Sequence, residues 1–298
     1  MVSFRIEDLS ALQVQHYLQH GIAPRPICFA STVNKEGMVN LSPFSFFNMF
    51  STQPPICVFS PSRRLRDNTT KHTLDNVLEV PEVVINIVNY AMVQQTSLAS
   101  TEYPRGVNEF RKAGFTEVPS ERVRPPRVRE SPMQLECRVR QVIPLAETAG
   151  AGNLVIAEVL MIHIQESVLD ENNLIDQTKT DLVARLGAAW YCRVNPASLF
   201  SVAKPFGPTG IGVDQLPAHI RLSVVLTGNH LGQLANIEKL PAPEEIAELS
   251  ADSEIREMFL AFKGDTPSLR RQLHRKAAEL LDEGNVDKAW KVLLQLDE

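Results

Sequence analysis

The sequence predicts a mainly β fold: a closed antiparallel barrel with peripheral helices, followed by a helical C-terminal extension. Three observations carry this reading. The strand-like runs are short and separated by hairpin-type turns. No βαβ alternation occurs, and neither G-x-G-x-x-G nor G-x-x-x-x-G-K-[ST] is present, which argues against a doubly wound parallel sheet. After Val194 the composition changes, first to a Gly/Pro-rich stretch over 199–243 and then to helical periodicity. The chain thus divides into a barrel domain, 1–198, and an extension, 199–298, made of a Gly/Pro-rich linker and helices.

Leu9, Leu12 and Tyr17 fit a short first helix that Gly21 ends. Pro24-Arg25-Pro26 stiffens the entry to a strand over 27–33. Asn34-Lys35-Glu36-Gly37 reads as a hairpin turn, with glycine supplying positive φ. A second strand starts near Met38, and a third covers 56–60. Residues 67–79 are predicted helical, with Leu74, Val77 and Leu78 on one face. The run 83–88 is β-branched and strand-like, and 91–99 suits a helix. Residues 101–132 are polar, basic and proline-rich, a loop long enough to be either functional or disordered.

Leu135, Cys137 and Val139 alternate with Glu136, Arg138 and Arg140, the pattern of a half-exposed strand. In a longer strand over 153–164, alternation puts His163 on one face with Val155, Ala157, Val159 and Met161. The other face holds Ile156, Leu160, Ile162 and the charge of Glu158. A strand apolar on both faces is covered on both, and in a barrel the outer cover would be a second subunit. In the extension, Thr266-Pro267 reads as an N-cap followed by Pro at the first helical position. Leu269, Leu273, Ala277, Leu280 and Leu281 form an apolar stripe that Gly284 ends. Asn285 caps a last helix bearing Ala289, Trp290, Leu293 and Leu294. One such hairpin is not a repeat array.

The 298 residues are 44% hydrophobic with a net charge of −5, so no basic field speaks for nucleic acid. The longest apolar run, around 83–93, is broken by Asn86, Asn89 and Tyr90, short of the roughly 20 residues of a membrane span. The N-terminus lacks a charged start followed by an apolar segment, so a cytoplasmic protein is expected. Cys28, Cys57, Cys137 and Cys192 are widely spaced with no C-x-x-C, and read as free thiols.

The stretch 40–60 mixes the hydroxyls of Ser42, Ser45, Ser51 and Thr52 with prolines, an aromatic cluster and Asn48. It suits a flat conjugated ligand with an anionic tail; the plainer alternative is an aromatic core strand with a polar kink. Arg63, Arg64, Arg66 and Lys71 follow it, either as anion ligands or as a solvated basic surface. His163 is either a donor to a ligand or a hydrogen-bonded core or interface histidine. His16 and His20, at i and i+4, have no third metal ligand near in sequence, which favours a surface helix.

Motifs across 20–195 resemble the flavin reductase-like family. They are P-R-P-I at 24–27, S-T-V at 31–33, N-L-S-P-F-S-F-F-N at 40–48, K-H-T-L at 71–74, N-I-V at 86–88 and Y-P-R-G-V-N-E-F at 103–110. A-G-F at 113–115, R-P-P-R-V at 124–128, S-P-M-Q-L-E-C at 131–137, E-V at 158–159, His163 and A-R-L-G at 184–187 continue the series. The resemblance implies an FMN-binding split β-barrel that works as a homodimer. V-D-Q-L-P at 213–217 and L-T-G-N-H-L-G at 226–232 resemble an extension on one longer branch.

On that resemblance, the FMN phosphate is expected on Arg63, Lys71 and Thr73, since a near-dianion wants cations with hydroxyl or amide donors. Ser45, Phe46, Phe47 and Asn48 are the expected ring and ribityl contacts, with Ser60 and Asn86 at strand ends. His163 is the candidate catalytic residue, donating to the flavin O2 or to substrate. The loop 101–132, with Tyr103 and Pro104 at its tip, would cover the flavin or pack a dimer, and Trp190 and Tyr191 are assigned to the dimer interface. His72 stands where the family carries an acid. A-G-N at 151–153 stands where many short-chain members carry G-D-H, whose histidine lies near the nicotinamide. The implied activity is an NADH- or NADPH-dependent oxidoreductase passing a hydride to flavin N5. The alternative is a flavoredoxin-like electron carrier whose tail docks a redox partner through Trp290 and Leu293. A third reading is a pyridoxamine-phosphate-oxidase-like enzyme on the same barrel type.

Overall fold

In the computed structural model, which describes residues 1–202 and 210–296, an antiparallel sheet dominates a first unit, Met1–Phe200. The strands are β1 (Arg25–Pro26), β2 (Cys28–Val33), β3 (Val39–Phe44), β4 (Phe47–Thr52), β5 (Pro55–Phe59) and β6 (Glu82–Ile87). They continue with β7 (Glu117–Val118), β8 (Arg127–Val128), β9 (Met133–Pro144), β10 (Asn153–Ile164), β11 (Val183–Arg185) and β12 (Tyr191–Arg193). Seven of them form one sheet in the order β3-β2-β6-β9-β10-β5-β4, and β1-β11-β12 form a small second sheet.

The two edges of the large sheet, β3 and β4, are joined only by Ser45 and Phe46. A flat sheet of seven strands would separate its edges by roughly 29 Å at about 4.8 Å per strand. The link from Phe44 to Phe47 reaches no more than about 11 Å. The sheet therefore curls until its edges approach, but those edges do not hydrogen-bond to each other. The result is a barrel with a split.

Alternation along β2, which is buried throughout, feeds two cores. Cys28 and Ala30 join Phe44, Phe59, Val83, Ile85, Val155 and Ala157 inside the barrel. Phe29 joins Leu41, Met92, Phe110 and Phe115 on the outside, under the helices α3 (Val93–Ala99) and α4 (Glu109–Ala113). The turn between β2 and β3 forms as its residues dictate. Gly37 sits at φ 81, and Asn34 Oδ1 accepts from the Met38 amide at 2.8 Å. The first helix, α1 (Ala11–Gly21), starts with a Ser10–Gln13 capping box and buries none of its residues. Arg25 holds its other end by donating to the Gln19 and Ile22 carbonyls, the latter at 2.6 Å.

The structure corrects several sequence expectations. The helix expected over 67–79 begins only at His72, as α2 (His72–Glu79). Asp67 accepts from the amide and hydroxyl of Thr69 at 3.1 and 2.6 Å, and Asn68 takes φ 57, so a turn outcompetes the helix there. The 101–132 loop contains α4, β7 and β8. Glu136, expected on an exposed face, is fully buried, because residues 121–127 fold over it. His163 does not share a face with Val155, Ala157 and Val159. A β-bulge at Leu160 shifts the register, so that Val159 pairs with Cys137 but Met161 pairs with Glu136 and His163 with Gln134.

The second unit, Ser201–Glu298, is helical. It comprises α5 (Ala218–Arg221), α6 (Gly228–Ala235), α7 (Pro243–Leu249), α8 (Ser253–Ala261), α9 (Thr266–Asp282) and α10 (Val286–Leu293). The stretch 199–243, expected to be a linker, supplies Leu216, Ile220, Leu226 and Leu234 to the same core as α9 and α10; its residues 203–209 lie outside the described ones. Trp290 and Leu293, proposed as docking contacts, are instead buried, and Trp290 Nε1 donates to the Leu234 carbonyl at 3.1 Å.

Cys28, Cys57 and Cys137 are buried free thiols whose pKa values burial pushes up; Cys192 is partly exposed. Among the described residues no helix is long and apolar enough to cross a membrane, and no cluster of His, Cys, Asp or Glu could hold a metal.

Two predictions concern the second unit. Trp290→Ala should cost it about 3–5 kcal/mol in chemical denaturation followed by circular dichroism. His274 is buried, bonded through Nδ1 to the Ser223 hydroxyl at 2.7 Å. Burial, with His219 and Arg270 nearby, holds its pKa at about 4, below the usual 6.5. The unfolded chain therefore binds more protons between those values. The stability from this group is complete above about pH 6.5 and is lost as pH falls toward 4, by on the order of 3 kcal/mol. His274→Leu should flatten that part of the stability profile, measured by urea unfolding from pH 7 to 4.5.

Candidate functional site

Alternation along β3 places Asn40, Ser42 and Phe44 on one face, and the start of α2 docks against it. Thr73 Oγ1 donates to Asn40 Oδ1 at 2.8 Å, and Asn40 Nδ2 donates to Glu109 Oε1 at 2.9 Å. The Leu41 amide donates to Glu109 Oε2, also at 2.9 Å. Burial pushes the Glu109 carboxyl above its ordinary value, against the pull of these hydrogen bonds. Thr73 is thus consumed by the framework that seats α2, rather than presented to a ligand.

Two residues before it, Lys71 stands half-buried with Nζ 5.2 Å from the centre of the Phe44 ring. Burial, and then Arg64, pull its pKa down; Glu102 acts in the opposite direction. Glu102 is engaged by Arg64 at 3.1 Å and by Arg66. Among the described residues no carboxylate forms an ion pair with Lys71. A small cavity of about 50 Å³ lies there, with Ser42, Arg64, Lys71, Ser100, Thr101 and Tyr103 in its wall, together with Glu102 and Glu109, whose carboxylates are engaged by Arg64 and Arg66 and by Asn40 and the Leu41 amide. Cations and hydroxyls that converge in this way suit the oxygens of an anion.

β3 leads from this cavity to the split. Ser45 is half-buried, and Phe46 is 44% exposed. Phe47 packs on the inner core, and the Ser60 amide donates to the Phe46 carbonyl at 2.9 Å. Asn48 is exposed, and its Oδ1 accepts from the Met49 amide at 2.8 Å. Gly152 lies so close to Ser60 that a Cβ there would fall 2.6 Å from its Oγ. The A-G-N run is therefore packed against the split, with Asn153 Nδ2 donating to the Pro61 carbonyl at 2.9 Å. Arg63 binds Ala151 through its amide, but its guanidinium turns to Asn68, at 2.7 Å to Oδ1 and 2.9 Å to the carbonyl.

The structure thus brings Ser45, Phe46, Phe47 and Ser60 together at the split, with Lys71, at the start of α2, beside Phe44 of β3. It does not bring Asn86 or His163 to them. Asn86 is fully buried, donating to the Val84 carbonyl and accepting from the Val128 amide at 2.9 Å. His163 Nε2 lies 2.7 Å from Glu136 Oε1, the hydrogen-bonded alternative that the sequence left open. Glu136 also accepts from the Glu121 and Arg122 amides at 2.9 and 2.6 Å. Burial raises its pKa, but these donors and His163 outweigh burial and hold the carboxyl below its usual value. Sequence reasoning left Arg64 between an anion ligand and a solvated surface, and missed Ser100, Thr101 and the anchoring role of Glu109. The N-E-F run at 108–110 was the available signal for the last.

The model of the flavin reductase like domain matches residues 20–181, within the first unit. An uncharacterized protein of Aquifex aeolicus is 36% identical over 172 residues, 58% of this chain and 85% of that protein. One from Halalkalibacterium halodurans is 33% identical over 201 residues, 67% of this chain and 94% of that protein. The structure of nitrilotriacetate monooxygenase component B from Bacillus cereus superposes with a TM-score of 0.63 at 27% identity. The match covers 68% of this chain and 98% of that one.

Replacing Glu136 with Leu should cost about 3 kcal/mol in equilibrium unfolding, since it strands the Glu121 and Arg122 amide donors and His163. A loss below about 1 kcal/mol would show that Glu136 does not anchor the 121–127 segment.

Proposed function

This chain belongs to the flavin reductase like family, and from that premise we propose that its first unit is an FMN-dependent oxidoreductase using NADH or NADPH. The observation that carries the reading is Lys71: a half-buried cation that forms no ion pair among the described residues, beside Ser42, Arg64, Ser100 and Thr101, the carboxylates of Glu102 and Glu109 in the same wall being engaged by other partners. That donor set fits a phosphate, and the half-exposed Phe46 with Ser45 at the neighbouring split fits a conjugated ring. FMN bound there supplies hydride uptake from a reduced nicotinamide and onward electron transfer.

Lys71 and Arg64 neutralise the phosphate, and Ser42 and Thr101 orient it. Lys71 is desolvated in advance, so its charge acts in a medium of lower dielectric than water. Phe46 gives the ring an apolar face and excludes water from it. Ser45, Asn48 and Ser60 offer donors at the ring edge. Arg63 supports the site by holding the 64–69 turn that carries Arg64. A homodimer is part of the reading: Met49 and Phe50 on the edge strand β4 are exposed, an apolar edge that a second copy would cover.

A second reading, an FMN-binding electron carrier without nicotinamide activity, is favoured by one observation. A-G-N replaces G-D-H at the split, and His163 is bonded to Glu136 instead. Anaerobic mixing of FMN-loaded protein with NADH or NADPH separates the two. Bleaching of the oxidised-flavin band supports the oxidoreductase. Stable colour, with reduction by a protein donor, supports the carrier.

Lys71→Ala should weaken FMN binding by about ten- to hundredfold in a fluorescence titration, the worth of a charge-assisted hydrogen bond. Unchanged affinity would remove Lys71 from the site. His163→Ala should lower stability while leaving the rate of flavin reduction within about twofold, as expected of a residue acting only through Glu136.

A further inference from the structure

P-R-P-I and A-R-L-G each contribute an arginine that the flavin site does not use. The fold brings the two together: Arg25 and Arg185 lie directly opposite one another in the β1–β11 ladder. Like charges in that position repel, and among the described residues both guanidiniums hydrogen-bond only to backbone carbonyls. Arg25 donates to Gln19, Ile22 and Leu186, and Arg185 to Ala188. Among the described residues neither forms an ion pair with a carboxylate. Arg25 is only 8% exposed, and among the described residues its Nε has no hydrogen-bond partner.

Arg185 lies over the Tyr191 ring at 4.5 Å and lines a cleft of about 440 Å³, within the usual range of small-molecule sites. Tyr90, Gln94, Ser97 and Arg193 contribute to the other walls. Arg193 lies over Tyr90 at 3.7 Å, but Asp181 matches its charge through hydrogen bonds of 2.6 and 2.9 Å. The cleft thus carries one uncompensated positive charge at Arg185, reinforced by Arg25, with Tyr90 and Tyr191 in its walls. It shares no lining residue with the Lys71 cavity, so the inference is independent of the flavin reading.

We propose that this cleft binds a planar aromatic carboxylate. The carboxylate pairs with the Arg185 fork, whose planar donors match its two oxygens. The ring packs against Tyr90 and Tyr191, and Gln94 and Ser97 serve polar ring substituents. The ligand's negative charge relieves the repulsion across the β1–β11 ladder.

Calorimetric titration of the full-length protein with sodium benzoate and with benzamide, its neutral counterpart, tests this. Benzoate should bind saturably at one site per chain, and benzamide about tenfold or more weaker. Arg185→Ala should reduce benzoate to the benzamide level, with Arg185→Lys between the two. Absence of benzoate binding, or equal binding of the two probes by the unaltered protein, overturns the assignment without any variant. So does an unchanged benzoate affinity in an Arg185→Ala protein whose circular dichroism shows it folded. AMP that binds through Arg185 more tightly than benzoate would make the cleft a nucleotide-phosphate site and overturn the carboxylate assignment.

Discussion

Two residues, Ser45 and Phe46, join the opposite edges of a seven-stranded sheet, and that short tether governs the first unit. The sheet has to curl, because a flat one would need a link nearly three times longer. Curling gives β2, β6, β9 and β10 a shared interior and leaves β3 and β4 facing across a split. The tether itself occupies the split. Its residues cannot retreat into a core, since the flanking strands end on either side of them. Phe46 is consequently half-exposed, an unusual condition for an aromatic residue between two strands.

Buried carboxylates then attach the polar 101–132 segment to the barrel. Glu109 bridges α4 to the backbone and side chains of β3, and through Asn40 it reaches Thr73 in the first turn of α2. Glu136 holds residues 121–122 and His163 on the outer face. Each accepts several donors, which is what a carboxylate needs to remain in an interior. The first of these networks docks the first turn of α2 on β3, and so fixes where Lys71 stands. The same segment supplies Glu102, which Arg64 and Arg66 engage, so that Lys71 is left without an acidic partner.

Local chemistry was legible where neighbours in sequence decide the outcome. The Asn34–Gly37 turn and the Gly284 and Asn285 signals of the last two helices formed as their residues dictate. Other errors were also local in origin: Asp67 and Thr69 bond to each other and delay α2 to His72. The strand over 153–164 failed differently. Its alternation is regular in sequence, yet a bulge at Leu160 turns His163 onto the face of Gln134 and Glu136. A bulge depends on the partner strand, and no single-strand pattern records it. Glu136 misled for a related reason, since an alternating charge reads as solvent-facing until the covering loop is known.

The residue order alone therefore sufficed for the strand-rich first part, the helical second part, the glycine turn and the motifs that carry the family. These rest on periodicity and short-range hydrogen bonding, which act within a few residues. The arrangement in space was needed to turn Thr73 and Asn86 inward, commit Arg63 to its own turn, engage Glu102 with Arg64 and Arg66 rather than with Lys71, and set Arg25 opposite Arg185. Each of those outcomes depends on a partner between 5 and 160 positions away, on the register of a strand pair, or on which neighbour a shared carboxylate takes. Packing and hydrogen-bond satisfaction settle such competitions only when the whole unit has closed.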